Sequence, residues 1–205
     1  MNPTKTKQKK RELTEHQFLI LGMTFPFDRE GISGKKMEAL IEERNVRQWT
    51  NIGFSSIYYI LEQLEKKKLL VSRADRADLF RRGAPYKLYF ITDKGKDVLR
   101  DSIREYLSER LEYKEFMTVL AVSSALSYEE MVSSLIAYRS ILISWLEDHL
   151  RPRYNEVLSE FSENLPIHIW GIFNHSITLL ESNITFLKHL IEKYQRSSIK
   201  NQIES

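Results

Sequence analysis

The stretch from Trp49 to Arg73 restricts the fold more than any other part of the chain. It begins with a polar turn at residues 50–53 and continues into a helix in which Ile57, Leu61 and Leu64 repeat at i, i+4 and i+7. This spacing predicts that one helix face belongs to a core. Such a helix is typical of one that enters a DNA groove, and the alternative is an ordinary amphipathic helix with a solvated face. The opposite face carries side chains that can donate hydrogen bonds: Ser55, Ser56, Tyr59, Gln63 and Lys66.

Two further helices are predicted before this stretch. Thr14 and Gln17 have the spacing of a capping box, so a first helix should begin near Glu15 and end at the proline that follows. Ser33 is placed to cap a second helix, which should extend to about Asn45.

A hairpin is predicted after the stretch. Residues 69–73 and 86–91 are rich in strand-forming residues, and the basic segment 81–83 lies at the turn between them. Thr92 should then cap a further helix that ends near Tyr113. Three helices, a hairpin with a basic tip and a further helix predict a winged helix-turn-helix domain.

The carboxyl half is predicted to be helical. Ser127 and Glu130 form a second capping box at the start of a long helix that carries two apolar stripes, and Pro152 should kink or break this helix. The stripes are Met131, Leu135, Tyr138, Leu142 and Trp145, and beside them Val132, Ile136, Ile143, Leu146 and Leu150. Beyond a turn, a third set alternates in spacings of 3 and 4, which is typical of a coiled-coil seam: Trp170, Phe173, Ile177, Leu180, Ile184, Leu187, Ile191 and Tyr194.

This third set, called the seam below, could close within one chain or between two chains. Two antiparallel helices of one chain cannot cover three apolar surfaces, which favours association between chains. The residues expected at a dimer interface are Ile177, Leu180, Ile184, Leu187 and Ile191.

These signals predict a mainly α fold in four parts. A flexible basic arm occupies residues 1–12, and the winged helix-turn-helix domain, with three helices and a two-stranded wing, occupies residues 13–112. A helical dimerisation domain follows at residues 113–196, and residues 197–205 are expected to be a disordered tail.

Charge is divided unevenly between the halves. Residues 1–100 hold 21 Lys and Arg against 13 Asp and Glu, whereas residues 101–205 hold 10 against 15. A basic half joined to an acidic half suggests that the first half contacts a polyanion. The chain has no cysteine, which excludes disulfides, thiolate zinc sites and thiol catalysis. No apolar run approaches the length of a membrane span, no export signal is present, and the expected location is the cytoplasm.

Several motifs resemble those of the PadR family of transcriptional regulators. They include Ile20-Leu21-Gly22 at the end of the first helix, Ser55-Ser56-Ile57-Tyr58 in the third helix, and residues 83–95, where a strand leads into Thr-x-x-Gly. The resemblance covers about residues 15–196, and the chain departs from the family pattern at residues 34–36 and at Ala84. It implies a homodimer that binds double-stranded DNA at a palindromic operator. It also implies a repressor that responds to a small aromatic ligand.

The candidate DNA-binding residues fall into two groups. Side chains at the start of the third helix should contact bases, and basic side chains around it should hold phosphates. The candidates are Lys35, Lys36, Thr50, Asn51, Ser55, Ser56, Tyr58, Tyr59, Gln63, Arg81, Arg82 and Lys87.

Flat side chains in the carboxyl half could sandwich a flat effector, and the alternative, favoured for each residue taken singly, is that it belongs to the core. The candidate lining is Tyr113, Phe116, Trp145, Trp170 and Phe173.

No enzymatic motif is present. The sequence contains no phosphate-binding glycine loop, no GxSxG turn and no HExxH pair, so we expect no cofactor, no metal and no catalysis. The competing class is a helical coiled-coil interaction protein that uses its winged helix for protein contact.

Overall fold

The computed structural model describes residues 11–74, 87–161 and 164–204, which form two compact units. The first unit contains the residues up to Tyr106 together with Glu112–Ala125, and the second contains Leu107–Leu111 and the residues from Leu126 onward. In the part of the chain that the structure describes, no helix is both long and apolar enough to cross a membrane.

The first unit is a winged helix-turn-helix fold, as predicted. Its helices are α1 (Glu15–Thr24), α2 (Gly34–Glu43), α3 (Phe54–Lys66), α4 (Asp93–Tyr106) and α5 (Tyr113–Val122). Its strands are β1 (Ile32–Ser33), β2 (Leu70–Ala74) and β3 (Lys87–Ile91), and they form an antiparallel sheet in the order β1-β3-β2. The wing begins where Leu70 of β2 pairs with Ile91 of β3. The short strand β1 was not predicted from the sequence.

α1 is the central helix of the first unit. Every residue from Phe18 to Thr24 is buried, because α3, α4 and α5 pack around this helix. A helix that is apolar on all sides is expected in such a position. Gly22 permits the close approach of α5, since a Cβ atom there would lie 2.3 Å from a methyl carbon of Val122. This contact explains the glycine of the Ile20-Leu21-Gly22 motif, although α1 continues to Thr24.

α5 belongs to the first unit, although the predicted boundary at residue 112 placed it in the second. Arg11 donates to the Glu115 carboxylate at 2.8 Å, and its guanidinium carbon lies 3.7 Å from the centre of the Tyr106 ring. The helix predicted to continue to Tyr113 ends at Tyr106, because the backbone N–H of Glu112 donates to the Glu115 carboxylate and starts a new helix.

The second unit contains three α-helices: α6 (Tyr128–Ser144), α7 (Arg151–Phe161) and α8 (Ile167–Glu204). The predicted capping box starts α6, where Ser127 Oγ accepts from the N–H of Glu130 at 3.2 Å. No loop forms at Pro152, which lies at the second position of α7. Instead, a π-helical segment, Trp145–Leu150, joins α6 to α7, and its wider turn accommodates the proline.

α8 continues to Glu204, so the expected disordered tail after residue 196 is helical as far as that residue. α8 packs against α6, and the first apolar stripe of α6 is buried at Met131, Leu135, Tyr138 and Leu142. Within the seam, Leu180, Leu187 and Ile191 are only 9%, 1% and 8% exposed.

Leu180, Leu187 and Ile191 of the seam are therefore buried within one chain. Ile177 and Ile184 are half-buried. The physical reason is that α6 offers a complementary apolar stripe at the same helical spacing.

Candidate nucleic-acid interface

The turn that leads into α3 is fixed by one arginine. Arg47 forms ion pairs with Glu38, at 2.7 Å, and with Glu42, both on α2, and its Nε donates to the carbonyl oxygen of Ile52 at 3.0 Å. The side chain of Ile52 is buried beside this contact. Arg47 thus couples α2 to the start of α3 and sets the angle of the helix-turn-helix. Sequence reasoning missed this role because the partners are brought together only by the fold.

α3 has the two faces that the sequence predicted. Ile57, Leu61 and Leu64 are completely buried, and burial of each such side chain stabilises the fold by about 1.5–3 kcal/mol. On the other face Ser55 and Tyr59 are exposed, and 63% of Tyr59 is accessible. A helix anchored so firmly on one side presents the other side as a rigid surface.

Phe54 was not among the predicted contacts, yet it is 56% exposed at the first position of α3. Its ring lies 5.4 Å from that of Tyr58, centre to centre. Hydropathy alone assigns a phenylalanine to the core, so sequence reasoning missed Phe54 as a surface residue.

Tyr58 contacts α2 as well as solvent. It is 38% exposed, and a Cβ atom on Gly34 would lie 2.4 Å from its ring. Gly34 therefore leaves the space into which Tyr58 packs. The tyrosine helps to hold α2 and α3 together, and only its outer edge is available to a ligand.

Two lysines lie in the first turn of α2. Ser33 caps this helix by accepting from the N–H of Lys36 at 3.2 Å, and Lys35 and Lys36 are both exposed. The ammonium of Lys36 lies 4.2 Å from the centre of the Phe27 ring, which directs that side chain. Two cations at a helix amino end, where backbone N–H groups also point outward, form a favourable site for a phosphate.

The base of the wing is held to α3 by Glu65. Its carboxylate accepts from the backbone N–H of Ser72 at 3.2 Å and from the Ser72 hydroxyl at 2.6 Å, and it lies 4.0 Å from Lys87 Nζ. Burial raises the pKa of Tyr89 behind this contact, and the carboxylates of Glu65 and Glu62 raise it further. Tyr89 is therefore neutral at neutral pH, and the exposed basic side chains on these strands are Arg73 and Lys87.

The remaining candidates differ in their positions. Asn51 is exposed and Gln63 is half-buried, whereas Thr50 is only 8% exposed and its hydroxyl makes no hydrogen bond to the described residues. Burial of Thr50 argues against a direct contact through its side chain, because the turn folds it inward. Arg81 and Arg82 lie outside the described residues.

The predicted effector lining is divided between the two units. Within the second unit, Trp145 stacks on His149 with ring centres 4.9 Å apart, whereas Phe173 stacks on Tyr154 at 5.1 Å. Trp170 is 51% exposed. Tyr113 and Phe116 belong to α5 of the first unit, where Tyr113 is 72% exposed.

Trp145 borders a cavity in the second unit, with a volume of about 450 Å³. The guanidinium carbon of Arg110 lies 4.4 Å from the centre of the Trp145 ring. The cavity is lined by Arg110, Ser140, Ile141, Ser144, Trp145 and His149. Among the described residues, no group of three His, Asp or Glu side chains is arranged to hold a metal ion.

No curated protein sequence matches this chain. Among solved structures, PadR from Bacillus subtilis in complex with operator DNA is 19% identical, covers 88% of this chain and 99% of its own, and superposes with a TM-score of 0.38. The same protein in complex with p-coumaric acid is 19% identical, with coverages of 89% and 99% and a TM-score of 0.36. The protein smu.1604c from Streptococcus mutans UA159 is 16% identical, with coverages of 87% and 99% and a TM-score of 0.37.

The likeness to a family comes from a sequence match rather than from these superpositions. The model of the transcriptional regulator PadR-like family matches residues 28–101. These residues contain α2, α3, the sheet and the first part of α4. Over residues 28–101 the chain therefore matches the family that its motifs predicted.

Proposed function

We propose that the protein is a homodimeric repressor that reads a palindromic DNA operator with α3 and acts in the cytoplasm. The observation that carries this proposal is the rigid, exposed face of α3, which bears Ser55 and Tyr59 while the opposite face is fully buried. Lys35 and Lys36 at the start of α2 and Lys87 on β3 supply positive charge on the same unit.

In this proposal the contacts have separate roles. Side chains on the outer face of α3 enter the major groove and specify bases: the exposed Ser55, Tyr58 and Tyr59 and the half-buried Ser56 and Gln63. Asn51, in the turn before α3, is a further candidate DNA contact. Lys35, Lys36 and Lys87 contact phosphates. Arg81 and Arg82 keep the phosphate role that the sequence predicts for the wing tip.

Two substitutions test the proposed phosphate and base contacts. Lys35→Ala should weaken binding to all sequences alike and reduce the slope of log K against log salt by about one unit, because one phosphate contact is lost. Tyr59→Ala should change which sequences are preferred in a selection from random double-stranded DNA. If neither variant alters binding, the helix-turn-helix is used for protein contact, and the coiled-coil interaction class becomes the better account.

Homodimerisation is supported by apolar surface that remains open on the second unit. Ile136 on α6 is 48% exposed, and Ile172 and Leu179 on α8 are 64% and 54% exposed. Exposed apolar side chains of this size on one unit favour its association with another surface. In a two-fold dimer, two copies of α3 about 34 Å apart would read one palindrome.

The cavity beside Trp145 supports an effector role for a flat aromatic anion. The indole offers a stacking surface, and Arg110 supplies a positive charge next to it. A π-helical segment such as Trp145–Leu150 is frequently found at functional sites. An effector releases DNA only if it binds more tightly to the conformation that cannot hold the operator.

p-Coumaric acid, a planar aromatic carboxylate, is a suitable probe of this cavity. We expect it to quench the fluorescence of Trp145, with the quench lost in Trp145→Phe, and to lower operator affinity. Operator should lower the affinity for the compound by the same factor, because the coupling is reciprocal. Equal affinity for the compound with and without operator would show that the cavity has no regulatory role.

A further inference from the structure

The exposed face of α3 contains one acidic residue that no structural role explains. Ser55, Tyr59, Glu62 and Lys66 are all exposed and follow one another at i, i+4, i+7 and i+11, so they form a single stripe along the helix. Glu62 lies in the middle of this stripe. Its carboxylate therefore faces the same direction as the residues assigned above to base contact.

The two glutamates of α3 that lie closest to the wing differ in their contacts. Glu65 is fixed to the wing, since it accepts from the backbone N–H and the hydroxyl of Ser72 at 3.2 and 2.6 Å. Glu62 is exposed, and within the described ranges no hydrogen bond or ion pair reaches its carboxylate. Glu65 has a folding role, whereas Glu62 is available to a ligand.

A carboxylate on a surface that approaches DNA is repelled by phosphates. Its presence is favourable only where a hydrogen-bond donor meets it. In the major groove the exocyclic amine of cytosine is such a donor, and acidic side chains accept from it, whereas thymine presents an oxygen at the equivalent place. Glu62 lies between Tyr59 and Lys66 on the stripe, so it would face the base edges wherever the stripe does.

We propose that Glu62 accepts a hydrogen bond from the N4 amine of a cytosine and so specifies one C·G pair in each half-site of the operator. This inference rests on the proposed function, because it requires α3 to lie in the major groove. Binding to a site with T·A in place of that pair should be weaker by about tenfold, the usual size of one base contact.

The test measures the affinities of wild type, Glu62→Gln and Glu62→Ala for the operator that wild type selects from random double-stranded DNA. Each base pair of the half-site is replaced in turn. Glu62→Ala should lose the preference at a single C·G pair and keep all others. Glu62→Gln should shift that position toward A·T, because an amide pairs with adenine. Glu43→Gln, which neutralises an exposed glutamate at the end of α2, is the matched control and should leave the preference unchanged.

The results separate this inference from the proposed function. If wild type selects an operator and Glu62→Ala keeps the same preference at every position, Glu62 reads no base and the inference is wrong. An equal gain in affinity for all sequences would also overturn it, since Glu62 would then act only by repulsion. If wild type selects no sequence, the proposed function itself fails. Circular dichroism of each variant checks that the fold is retained.

Discussion

At the scale of single residues, close packing explains a motif that the sequence only suggested. The hydroxyl of Thr92 donates to the carbonyl oxygen of Lys68 at 2.9 Å and accepts from the backbone N–H of Gly95 at 3.0 Å. A Cβ atom on Gly95 would lie 2.2 Å from the carbonyl oxygen of Leu69. The Thr-x-x-Gly motif thus joins the end of the sheet to the start of α4, and glycine is required because backbone approaches backbone.

Gly95→Ala should therefore destabilise the first unit. Overpacking against a backbone atom costs about 1–3 kcal/mol, because the strand and the helix must move apart. Urea unfolding followed by circular dichroism measures this loss. Gly171→Ala is the matched control, since a Cβ atom there meets nothing within 4 Å and replacement of a helical glycine adds up to about 1 kcal/mol. Equal stability of the two variants would show that a Cβ atom at position 95 is accommodated without cost.

At the scale of elements, the helices of the second unit distribute their apolar residues between an inner and an outer face. α8 contributes Leu187 to the interior, where 1% of its surface is exposed, and Arg139 of α6 donates to the carbonyl oxygen of Ile184 at 3.2 Å. Tyr128 at the start of α6 and Tyr194 of α8 lie 5.9 Å apart, centre to centre. The two helices are therefore in contact over most of the length of α6.

Leu187→Ala should lower the free energy of unfolding of this unit by about 2–5 kcal/mol, because it leaves a cavity between α6 and α8. Lys188→Ala, at the adjacent exposed position, should change the stability by less than about 0.5 kcal/mol. Thermal unfolding at equal protein concentration compares them. A small effect of Leu187→Ala would mean that the seam is not closed in solution as it is in the structure.

At the scale of the whole molecule, function depends on how two copies would combine. A palindrome can be read only when the positive surfaces of two first units are held at a fixed spacing, and the acidic second half is suited to joining chains away from DNA. Association through the outer face of the second unit would leave the inner face of each chain intact. Folding of the second unit and dimerisation would thus be separable properties.

The double variant Ile172→Glu and Leu179→Glu tests this separation. Both positions are exposed in one chain, so the fold should be retained, but in a dimer the new carboxylates would be buried without partners at a cost of several kcal/mol. Light scattering should report a monomer with unchanged helix content and with weakened operator binding. A folded dimer in this variant would place the interface elsewhere on the chain.

Local patterns in the sequence determined much of this structure. The spacing of Ile57, Leu61 and Leu64 fixed the buried face of α3, and the capping boxes at Thr14 and Ser127 placed the starts of α1 and α6. These features depend on residues within two or three helical turns of one another, so a linear pattern contains all the information they need.

The tertiary structure alone decided which surfaces meet. The seam pattern of α8 suits a helix of the same chain as well as one of another copy, and only the stripe offered by α6 determines that Leu187 is closed within the chain. Likewise Thr50 has the polarity of a surface residue but is folded inward, and α5 packs on α1 because Gly22 leaves room for Val122. Such outcomes depend on how residues distant in sequence pack against one another in a close-packed interior. The periodicity of a single segment contains no information about that packing.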